Sequence, residues 1–333
     1  MRVALVHDDL FQWGGSERVL EAISEIYPDA PIFTSVVDYS NPELRKRFGL
    51  KKIYTSFLQK IPGRGSLYKE MLPFYPLAFE QFLFDGYDLV ISNTTRFAKS
   101  IITKPQTMHI CYCHTPPRFL WHFSGEKNYG LLETLMNKLR IYDQVSAKRV
   151  DRFLAGSLNA QKRIKKIYKS DAKVVYPFVD LQRFNGVEAF DGGYYLIVGR
   201  PNKYKMFDLA KEACSKAGVQ LRVIDGSFSD EMAINIMAGC KALIIAGEED
   251  FGISSLEAQA LGKSVIAFKA GGALETVKEG ETGFFFESQT VGSLVYALKN
   301  ISQLDGDKCK ENAGRFSKEK FISNFKQSLA DLG

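Results

Sequence analysis

Short apolar runs alternate with amphipathic segments along the whole chain. In the first half, apolar runs over 3–7, 89–92 and 108–113 predict strands, and helical patterns cover 16–27 and 131–150. The second half repeats this more regularly: strands are predicted over 194–198, 221–224, 242–246 and 264–268, and helices over 206–217, 230–239, 253–261 and 274–279. This order predicts an α/β protein in which helices cover both faces of doubly wound parallel sheets.

The alternation is interrupted at 171–191, where Pro177 breaks the pattern. A length of 333 residues also favours two domains over one. We therefore predict two Rossmann-like domains. The boundary is placed at 175, so that the first domain covers 1–175 and the second begins at 176.

The composition is that of a globular protein, with 45% hydrophobic and 25% charged residues. No segment approaches 18 uncharged apolar residues, and the first residues enter a strand pattern without a charged-then-apolar leader, which predicts a cytoplasmic protein. Five cysteines are an odd number in apolar settings, so reduced thiols are expected. Because Cys111, Cys113 and His114 lack zinc-site spacing and a second ligand pair, no metal is predicted.

The net charge of +6 is unevenly spread. Residues 1–180 carry 26 Lys and Arg against 18 Asp and Glu, whereas 181–333 carry 18 against 20, so the parts have charges of +8 and −2. The asymmetry favours an anionic partner such as a membrane surface, nucleic acid or a phosphorylated acceptor, and solvated helix faces are the alternative. The aromatic run over 73–84, interleaved with basic clusters, suits either the edge of a bilayer or a core.

In open parallel sheets, ligands bind beyond the carboxyl ends of the strands. The loop after the first predicted strand contains Gly14 and Gly15 ahead of a helix, where backbone N–H groups can approach a phosphate, although a plain turn explains the pair as well. Neither a Gly-x-Gly-x-x-Gly motif nor a Walker-type Gly-Lys-Ser/Thr follows this strand. These motifs would be expected of a nicotinamide dehydrogenase and a P-loop NTPase, which are therefore disfavoured.

Charged and glycine-rich residues also end predicted strands of the second half. Arg200 and Lys205 place two cations at the mouth of the sheet. The amides of Phe251, Gly252 and Ile253 begin a helix and form a second candidate anion site.

Two carboxylates frame this helix start. Glu257 lies on the apolar stripe of the helix, and an inward carboxylate costs free energy unless a partner meets it. Glu249 stands eight residues earlier, where interaction with the helix dipole is the simplest explanation. Gly271 and Gly272 lead into another short helix and offer a third anion site.

These residues resemble retaining GT-B glycosyltransferases of the family 4 type. The matching motifs are Arg200 and Lys205 after a strand, Glu249 and Glu257 within Glu-Asp-Phe-Gly-Ile-x-x-Leu-Glu-Ala, and the later glycine pair. The resemblance covers nearly the whole chain and is most specific in the second half. In the first half, the stretch Cys-His-Thr-Pro-Pro-Arg-Phe-Leu-Trp over 113–121 is similar to a subgroup that includes bacterial O-antigen and exopolysaccharide mannosyltransferases.

The resemblance implies a GT-B fold whose two domains face a cleft. In this fold a C-terminal helix over 316–333 would complete the first domain, and the second domain would span 176–315. The resemblance also implies roles for single residues. Arg200 and Lys205 would hold the donor's diphosphate and stabilise the charge that grows on it. Glu249 would accept hydrogen bonds from the donor sugar, Glu257 would accept them from the ribose, and His114 would contact the sugar from the first domain. The implied catalytic residues are Arg200, Lys205, Glu249 and His114. The implied donor-binding residues are Gly14, Gly15, Phe251, Gly252, Ile253 and Glu257, and the acceptor-side candidates are Trp13 and Arg118.

The sequence departs from the family pattern at three points. Met206 stands where the family usually has glycine, so a differently shaped turn is expected there. Glu248 and Asp250 flank the second acidic position, and either could share the sugar contact. An Asp-x-Asp motif at 305–307 lies between helices and not at a strand end, which indicates a surface turn and not a metal site.

The resemblance also implies the partners. The expected donor is GDP-mannose, with UDP-glucose, UDP-galactose and UDP-N-acetylglucosamine as alternatives on the same scaffold. The expected acceptor is a growing surface polysaccharide or a lipid-linked oligosaccharide, with peripheral membrane contact through the basic first half. Neither a cofactor nor nucleic acid is expected.

Two other functions remain open. A sugar-nucleotide 2-epimerase has the same fold but needs acid and base carboxylates that we cannot place. A non-catalytic sugar- or nucleotide-binding protein would not need His114 and Glu249 together. For a transferase, we expect a front-side reaction in which the leaving phosphate takes the acceptor proton, because candidate loops are rich in cations and poor in carboxylates.

Overall fold

A computed structural model describes residues 1–63, 70–123, 129–200, 202–301 and 304–330. The chain divides into two compact units. Unit 1 comprises Met1–Val175 together with the end of the chain from Phe325, and unit 2 comprises Tyr176–Asn324. The last helix therefore begins in unit 2 and ends in unit 1.

Unit 1 is built on a seven-stranded parallel sheet in the order β3-β2-β1-β4-β5-β6-β7. The strands are β1 Val3–His7, β2 Ile32–Thr34, β3 Ile53–Thr55, β4 Leu89–Thr94, β5 Met108–Cys113, β6 Arg152–Ala155 and β7 Ala172–Val174. The α-helices that begin in this unit are α1 Gly15–Ile26, α2 Pro42–Phe48, α3 Tyr75–Glu80, α4 Glu133–Ala147 and α5 Leu158–Tyr168. The register aligns His7 of β1 with Asn93 of β4, which brings these two strand ends together.

Unit 2 is built on a five-stranded parallel sheet in the order β12-β11-β10-β8-β9. The strands are β8 Tyr194–Val198, β9 Gln220–Ile224, β10 Cys240–Ile245, β11 Ser264–Phe268 and β12 Gly283–Phe286. The helices that begin here are α6 Phe207–Ala217, α7 Asp230–Ala238, α8 Ile253–Ala260, α9 Ala273–Thr276, α10 Val291–Asn300, α11 Gly306–Gly314 and α12 Lys318–Ala330. The central strands β8, β10 and β11 are nearly continuous runs of apolar residues, as expected for strands covered on both faces.

Several predicted helices differ from the structure by a few residues at their ends, and for two of them specific contacts explain the difference. The helix predicted over 274–279 ends at Thr276, because Val277 is extended and the Lys278 N–H donates to Thr282 Oγ1 instead of continuing the helix. The final helix begins at Lys318 and not at 316. Its preceding residues are held in an extended bridge, in which Val179 N–H donates to the Phe316 carbonyl at 2.9 Å.

The aromatic run over 73–84 lies largely in the core of unit 1. Tyr75, Phe79, Phe82 and Phe84 are buried, and the last two pack against Phe33. Other apolar side chains from the run remain exposed: Phe74, Leu77 and Leu83. Core packing therefore explains most of this run, and the exposed side chains form the part that a membrane could contact.

Unit 1 also contains a buried ion pair. Lys99 and Asp143 are both fully buried and in contact, and Lys99 Nζ also donates to the Arg96 carbonyl at 2.9 Å. Trp121 Nε1 and the Tyr168 hydroxyl donate to the second oxygen of Asp143, at 2.8 and 2.9 Å. Burial opposes the charge of Lys99, but Asp143 raises the pKa of Lys99, so the ammonium remains protonated at neutral pH.

The structure also bears on the cysteines, the Asp-x-Asp motif, membrane-spanning helices and metal-binding groups. All five cysteines are buried and free. Asp305 is the N-cap of α11 and accepts a hydrogen bond from the backbone of Asp307, so capping accounts for the Asp-x-Asp motif. Across the described residues, no helix is long and apolar enough to cross a membrane, and no group of three His, Cys, Asp or Glu side chains could hold a metal.

Candidate nucleotide-sugar site

Three loops meet at the carboxyl end of the unit 2 sheet. The loop after β8 and the loop after β10 touch so closely that a Cβ on Gly247 would lie 1.7 Å from the Tyr204 carbonyl oxygen. The loop after β11 touches the β10 loop in the same way, since a Cβ on Gly272 would lie 2.2 Å from the Phe251 Cα. Gly272 N–H also donates to the Glu249 carbonyl at 2.8 Å. Glycine is thus required at two positions for the loops to converge.

This convergence places Lys205 against Glu249. Lys205 Nζ donates to Glu249 Oε1 at 2.5 Å, and both side chains are mostly buried. Burial opposes the charge of Lys205, but Glu249, Tyr204 and Asp250 together raise its pKa, so the ammonium is charged at neutral pH. The lysine side chain lies over Gly199, whose Cβ would meet the Lys205 ammonium at 3.2 Å. The site therefore presents a fixed cation beside a carboxylate.

The turn before α6 is shaped as a glycine turn although Met206 occupies it. Met206 has φ 53° and ψ 42°, the left-handed conformation that glycine adopts most easily. Met206 thus adopts a conformation that glycine favours, and a turn shape different from that of the family stays a prediction. The flanking contacts explain this conformation: Met206 packs on the core around the buried Phe207, and the preceding Tyr204 is held against Gly247.

Helix α8 begins close to the ion pair of Lys205 and Glu249. Its N-cap is Gly252, which has φ 90° and caps the helix without a side chain. Ser255 holds the start of the helix in place. Its Oγ donates to the Gly252 carbonyl at 2.7 Å and lies 2.8 Å from Thr276 Oγ1. Phe251 is buried and stacks on Tyr176 with ring centroids 5.5 Å apart. The backbone of 251–253 is thereby fixed beside Lys205 and Glu249.

Glu257, one turn into α8, has a protein partner that the sequence did not reveal. Arg183 Nη1 donates to Glu257 Oε1 at 2.7 Å, and the same guanidinium holds Asp230 through two hydrogen bonds. Both Arg183 and Glu257 are mostly buried. Arg183 thus offsets the free-energy cost of burying the Glu257 carboxylate. It also fixes the orientation of this carboxylate, for which the family resemblance implies contact with the ribose.

Arg200 stands apart from this cluster. Its side chain is exposed after β8, and a Cβ built on Gly226 would lie 4.0 Å from Arg200 Nε. In the described part of unit 2, Arg200 forms no ion pair. An exposed cation at this edge is chemically suited to an anionic ligand, and it differs from Lys205 in that no carboxylate of the described part of unit 2 forms an ion pair with it.

The candidate residues of the first half lie in unit 1, at the carboxyl ends of β1, β4 and β5. His114 directly follows β5, and its Nε2 lies 2.8 Å from Asn93 Oδ1 at the end of β4. Asn93 also contacts His7 of β1, whose Nε2 lies 3.4 Å from Glu17 of α1. Because the parallel strands end at one edge, His114 belongs to a connected polar network there.

Within this network, His7 and Glu17 form a buried pair. Burial opposes both charges, but Glu17 raises the pKa of His7, and His7 lowers the pKa of Glu17. Glu17 Oε1 accepts from Ser16 at 2.9 Å, and Oε2 points at Gly14, whose Cβ would lie 3.1 Å away. The Gly14 and Gly15 pair therefore has a packing reason as well as its expected phosphate role.

The two acceptor-side candidates make intramolecular contacts in unit 1. Trp13 is half-buried and packs on α2, with the Arg47 guanidinium 5.0 Å from its ring centroid and Phe48 6.2 Å away. Arg118 Nη2 donates to the Phe123 carbonyl at 2.5 Å. Both side chains are thus positioned by neighbours, and their assignment to an acceptor stays a prediction.

Replacing Gly247 by alanine tests the loop convergence. The added methyl group would collide with the Tyr204 carbonyl and displace the backbone that carries Lys205. A shift of about 1 Å in a positioning group costs on the order of a hundredfold in rate, so kcat/KM for the proposed sugar transfer should fall by about that factor. Gly292→Ala is the matched control, because a Cβ there meets no atom within 4 Å. Equal activity of both variants would contradict the role of the close contact.

The part of the chain that carries this site resembles known proteins. Residues 155–320 match the family model described as "Glycosyl transferases group 1". The glycogen synthase of Pseudomonas syringae pv. tomato is 28% identical over 153 residues, which cover 43% of this chain and 31% of that protein. The glycogen synthase of Pseudomonas aeruginosa is 32% identical over 133 residues, which cover 37% of this chain and 25% of that protein. These matches span at most about a third of the curated relatives' length.

Solved structures match along the entire chain. Sucrose-phosphate synthase from Thermosynechococcus elongatus superposes with a TM-score of 0.76 at 13% identity, over 100% of this chain and 99% of that one. HepE of Anabaena in complex with UDP and glucose gives a TM-score of 0.68 at 18% identity, over 99% of both chains.

The two parallel sheets and these structural matches define the GT-B fold, so the predicted fold class is confirmed. Within this fold, residues 155–320 match the glycosyl transferases group 1 model, and most of them lie in unit 2. Lys205, Glu249 and Glu257 all lie in this matched region.

Proposed function

We propose that this protein is a retaining glycosyltransferase of the family 4 type, which transfers a sugar from a nucleotide-sugar donor to a saccharide acceptor. The observation that carries the proposal is the contact between Lys205 and Glu249 at the strand ends of the region that matches the glycosyl transferases group 1 model. A nucleotide sugar has an anionic diphosphate joined to a ring rich in hydroxyl groups. A fixed ammonium beside a carboxylate is complementary to these two adjoining groups.

The proposed roles follow from this complementarity. Lys205, assisted by Arg200, binds the diphosphate and stabilises the charge that develops as the sugar–phosphate bond breaks. Glu249 accepts hydrogen bonds from the sugar hydroxyls, next to the amides of 251–253. Glu257, oriented by Arg183, accepts hydrogen bonds from the ribose.

For the stereochemical course we propose a front-side reaction. The acceptor oxygen bonds to the anomeric carbon on the face from which the phosphate departs, and the hydroxyl proton passes to the leaving phosphate oxygen. Retaining glycosidases instead use a carboxylate nucleophile. In unit 2, the two carboxylates of the site are already engaged, Glu249 by Lys205 and Glu257 by Arg183, which favours the front-side route.

Two donors are favoured by different observations. The resemblance of 113–121 to mannosyltransferases favours GDP-mannose. The names of the relatives favour a glucose donor: HepE was solved with UDP-glucose, and the curated relatives are glycogen synthases. We propose these two donor classes as the first to test.

For the acceptor, we propose a growing surface polysaccharide or a lipid-linked oligosaccharide at the inner face of the cytoplasmic membrane. The +8 charge of residues 1–180 supports contact with an anionic surface. The exposed side chains of Phe74, Leu77 and Leu83 add apolar area that suits the membrane interface.

A calorimetric screen of GDP, UDP, ADP and their common sugars tests the proposed donor site. We expect one nucleoside diphosphate series to bind, and Glu257→Ala to weaken its binding by about tenfold or more through the lost ribose contacts. Lys299→Ala, an exposed change on α10, is the control and should bind normally. If no nucleotide or nucleotide sugar binds the wild-type protein, the proposed function is wrong.

Incubation of the nucleotide sugar that binds, with and without saccharide acceptors, separates the alternatives. A sugar-nucleotide 2-epimerase would convert its donor without an acceptor, whereas a binding protein would leave the donor intact in the presence of every acceptor. Release of the nucleoside diphosphate that depends on an added saccharide is expected only of a transferase.

A further inference from the structure

We infer that Asn93 is a positioning residue that holds His114 as the Nε2–H tautomer and thereby makes Nδ1 the hydrogen-bond acceptor of the neutral ring. The inference rests on the proposed function for its consequence in substrate choice, but its geometry is independent of that function. It concerns two residues of unit 1, Asn93 at the end of β4 and His114 just after β5.

The orientation of the Asn93 amide is fixed by its neighbours. The side chain is buried, with Nδ2 at 2.8 Å from the Ser16 carbonyl oxygen. A carbonyl oxygen can only accept, so the group facing Ser16 must be the amide nitrogen. The opposite orientation would place two acceptor oxygens in contact. Asn93 Oδ1 therefore faces His114.

The orientation of the amide in turn fixes the protonation of the imidazole. His114 Nε2 lies 2.8 Å from Asn93 Oδ1, and an amide oxygen has no hydrogen to donate. Nε2 must carry the hydrogen. In the neutral ring only one nitrogen is protonated, so Nδ1 has the lone pair. The edge of Tyr112, with its ring centroid 5.0 Å from that of His114 at an angle of 74°, restrains the plane of the imidazole.

This tautomer has a consequence for the class of sugar. If His114 contacts the donor sugar as proposed, Nδ1 requires a group that donates a hydrogen bond. A hydroxyl group does so, whereas the carboxylate of a uronic acid and the ether oxygen of an O-alkylated sugar do not. The inference therefore assigns Nδ1 of His114 to a free hydroxyl group of the donor sugar.

Nitrogen NMR on the free protein tests the tautomer directly. The chain has only four histidines, so selective ¹⁵N-histidine labelling gives a simple spectrum, and His114→Gln identifies the His114 signals. At a pH where His114 is neutral, we expect a protonated Nε2 and an unprotonated Nδ1 in the wild type. A protonated Nδ1, or an even mixture of tautomers, overturns the inference even if the protein is an active transferase.

Asn93→Leu tests whether Asn93 is the cause. It removes the acceptor oxygen, so the His114 signals should shift toward a mixture of tautomers while those of His122, outside the network, stay unchanged. Unchanged His114 signals would contradict the role of Asn93. Should this variant not fold, Asn93→Asp keeps an acceptor and should retain a protonated Nε2, and a neutral His114 ring protonated at Nδ1 instead of Nε2 would overturn the inference.

Binding of singly deoxygenated donor analogues tests the consequence. One deoxy position should weaken binding to the wild type by about tenfold and leave binding to His114→Ala unchanged. If every position affects both proteins equally, the assignment of His114 to a hydroxyl group is wrong. Failure of all nucleotide sugars to bind would instead contradict the proposed function and leave the NMR result intact.

Discussion

Replacement of Lys205 by alanine is expected to lower the kcat of glycosyl transfer by about a hundred- to a thousandfold. Lys205 is charged, mostly buried and in contact with Glu249, so it acts where water screens charge poorly. In the proposed mechanism it stabilises negative charge that grows on the departing diphosphate. Such an interaction is stronger in the transition state than in the ground state, so steady-state kinetics should show the loss mainly in kcat.

Lys203→Ala is the matched control for this prediction. Lys203 lies in the same loop and carries the same charge, but its side chain is exposed. We expect kcat to change by less than about threefold, because an exposed lysine interacts with the site only through screened charge. If Lys205→Ala keeps its kcat within tenfold of the wild type, or if both variants lose it equally, the role assigned to Lys205 is wrong.

Replacement of Lys99 by methionine is expected to destabilise unit 1 by about 3–5 kcal/mol. The change leaves Asp143 fully buried without its cation, while Trp121 and Tyr168 still hold the carboxylate in place. Both tryptophans of the chain lie in unit 1, and Trp121 donates directly to Asp143. Tryptophan fluorescence during urea denaturation should therefore show a large fall in the midpoint for this unit.

Two further variants distinguish the effect of breaking the Lys99–Asp143 ion pair from a general effect of removing a lysine. Lys165→Met removes the exposed pair with Asp171 and should change the midpoint very little. Adding Asp143→Asn to Lys99→Met removes the unpaired charge and keeps an acceptor for Trp121 and Tyr168, so it should recover part of the loss. A Lys99→Met protein as stable as the wild type would contradict the proposed contribution of the pair.

The sequence was most informative where a residue's environment is set by its own strand and loop. Lys205 and Glu249 follow buried apolar strands, and the carboxyl ends of parallel strands must meet at one edge, so the sequence pattern is sufficient to predict their proximity. Similarly, Gly252 precedes an amphipathic pattern and is the N-cap of α8. These inferences need only local pattern and sheet topology.

Partners that are distant in the chain could not be found in this way. Arg183 lies 74 positions before Glu257 and belongs to a short helical turn without any pattern of its own. Asn93 and His114 come together through the register of neighbouring strands, which the sequence does not specify by itself. A signal was available for Asn93, because a polar residue in an otherwise apolar strand run requires a partner.

The turn at Met206 illustrates a different limit. Residue type alone predicts that methionine avoids the left-handed region, at a cost of about 1–2 kcal/mol. Packing on both sides of the turn, at Gly247 and in the core around Phe207, outweighs this preference. Strands of three residues such as β2 and β3 were missed for a related reason, since they are too short to show a period.

The most direct test of the central claim, that Lys205 and Glu249 form the catalytic part of a nucleotide-sugar site, is ³¹P NMR of the purified protein with GDP-mannose or UDP-glucose and a saccharide acceptor extract. The sugar-diphosphate signals of one donor should be replaced by those of the free nucleoside diphosphate, at a rate that depends on the acceptor. Lys205→Ala should nearly abolish this conversion. Release of the nucleoside diphosphate at the wild-type rate by Lys205→Ala and Glu249→Ala would show that these two residues are not the catalytic part of the site.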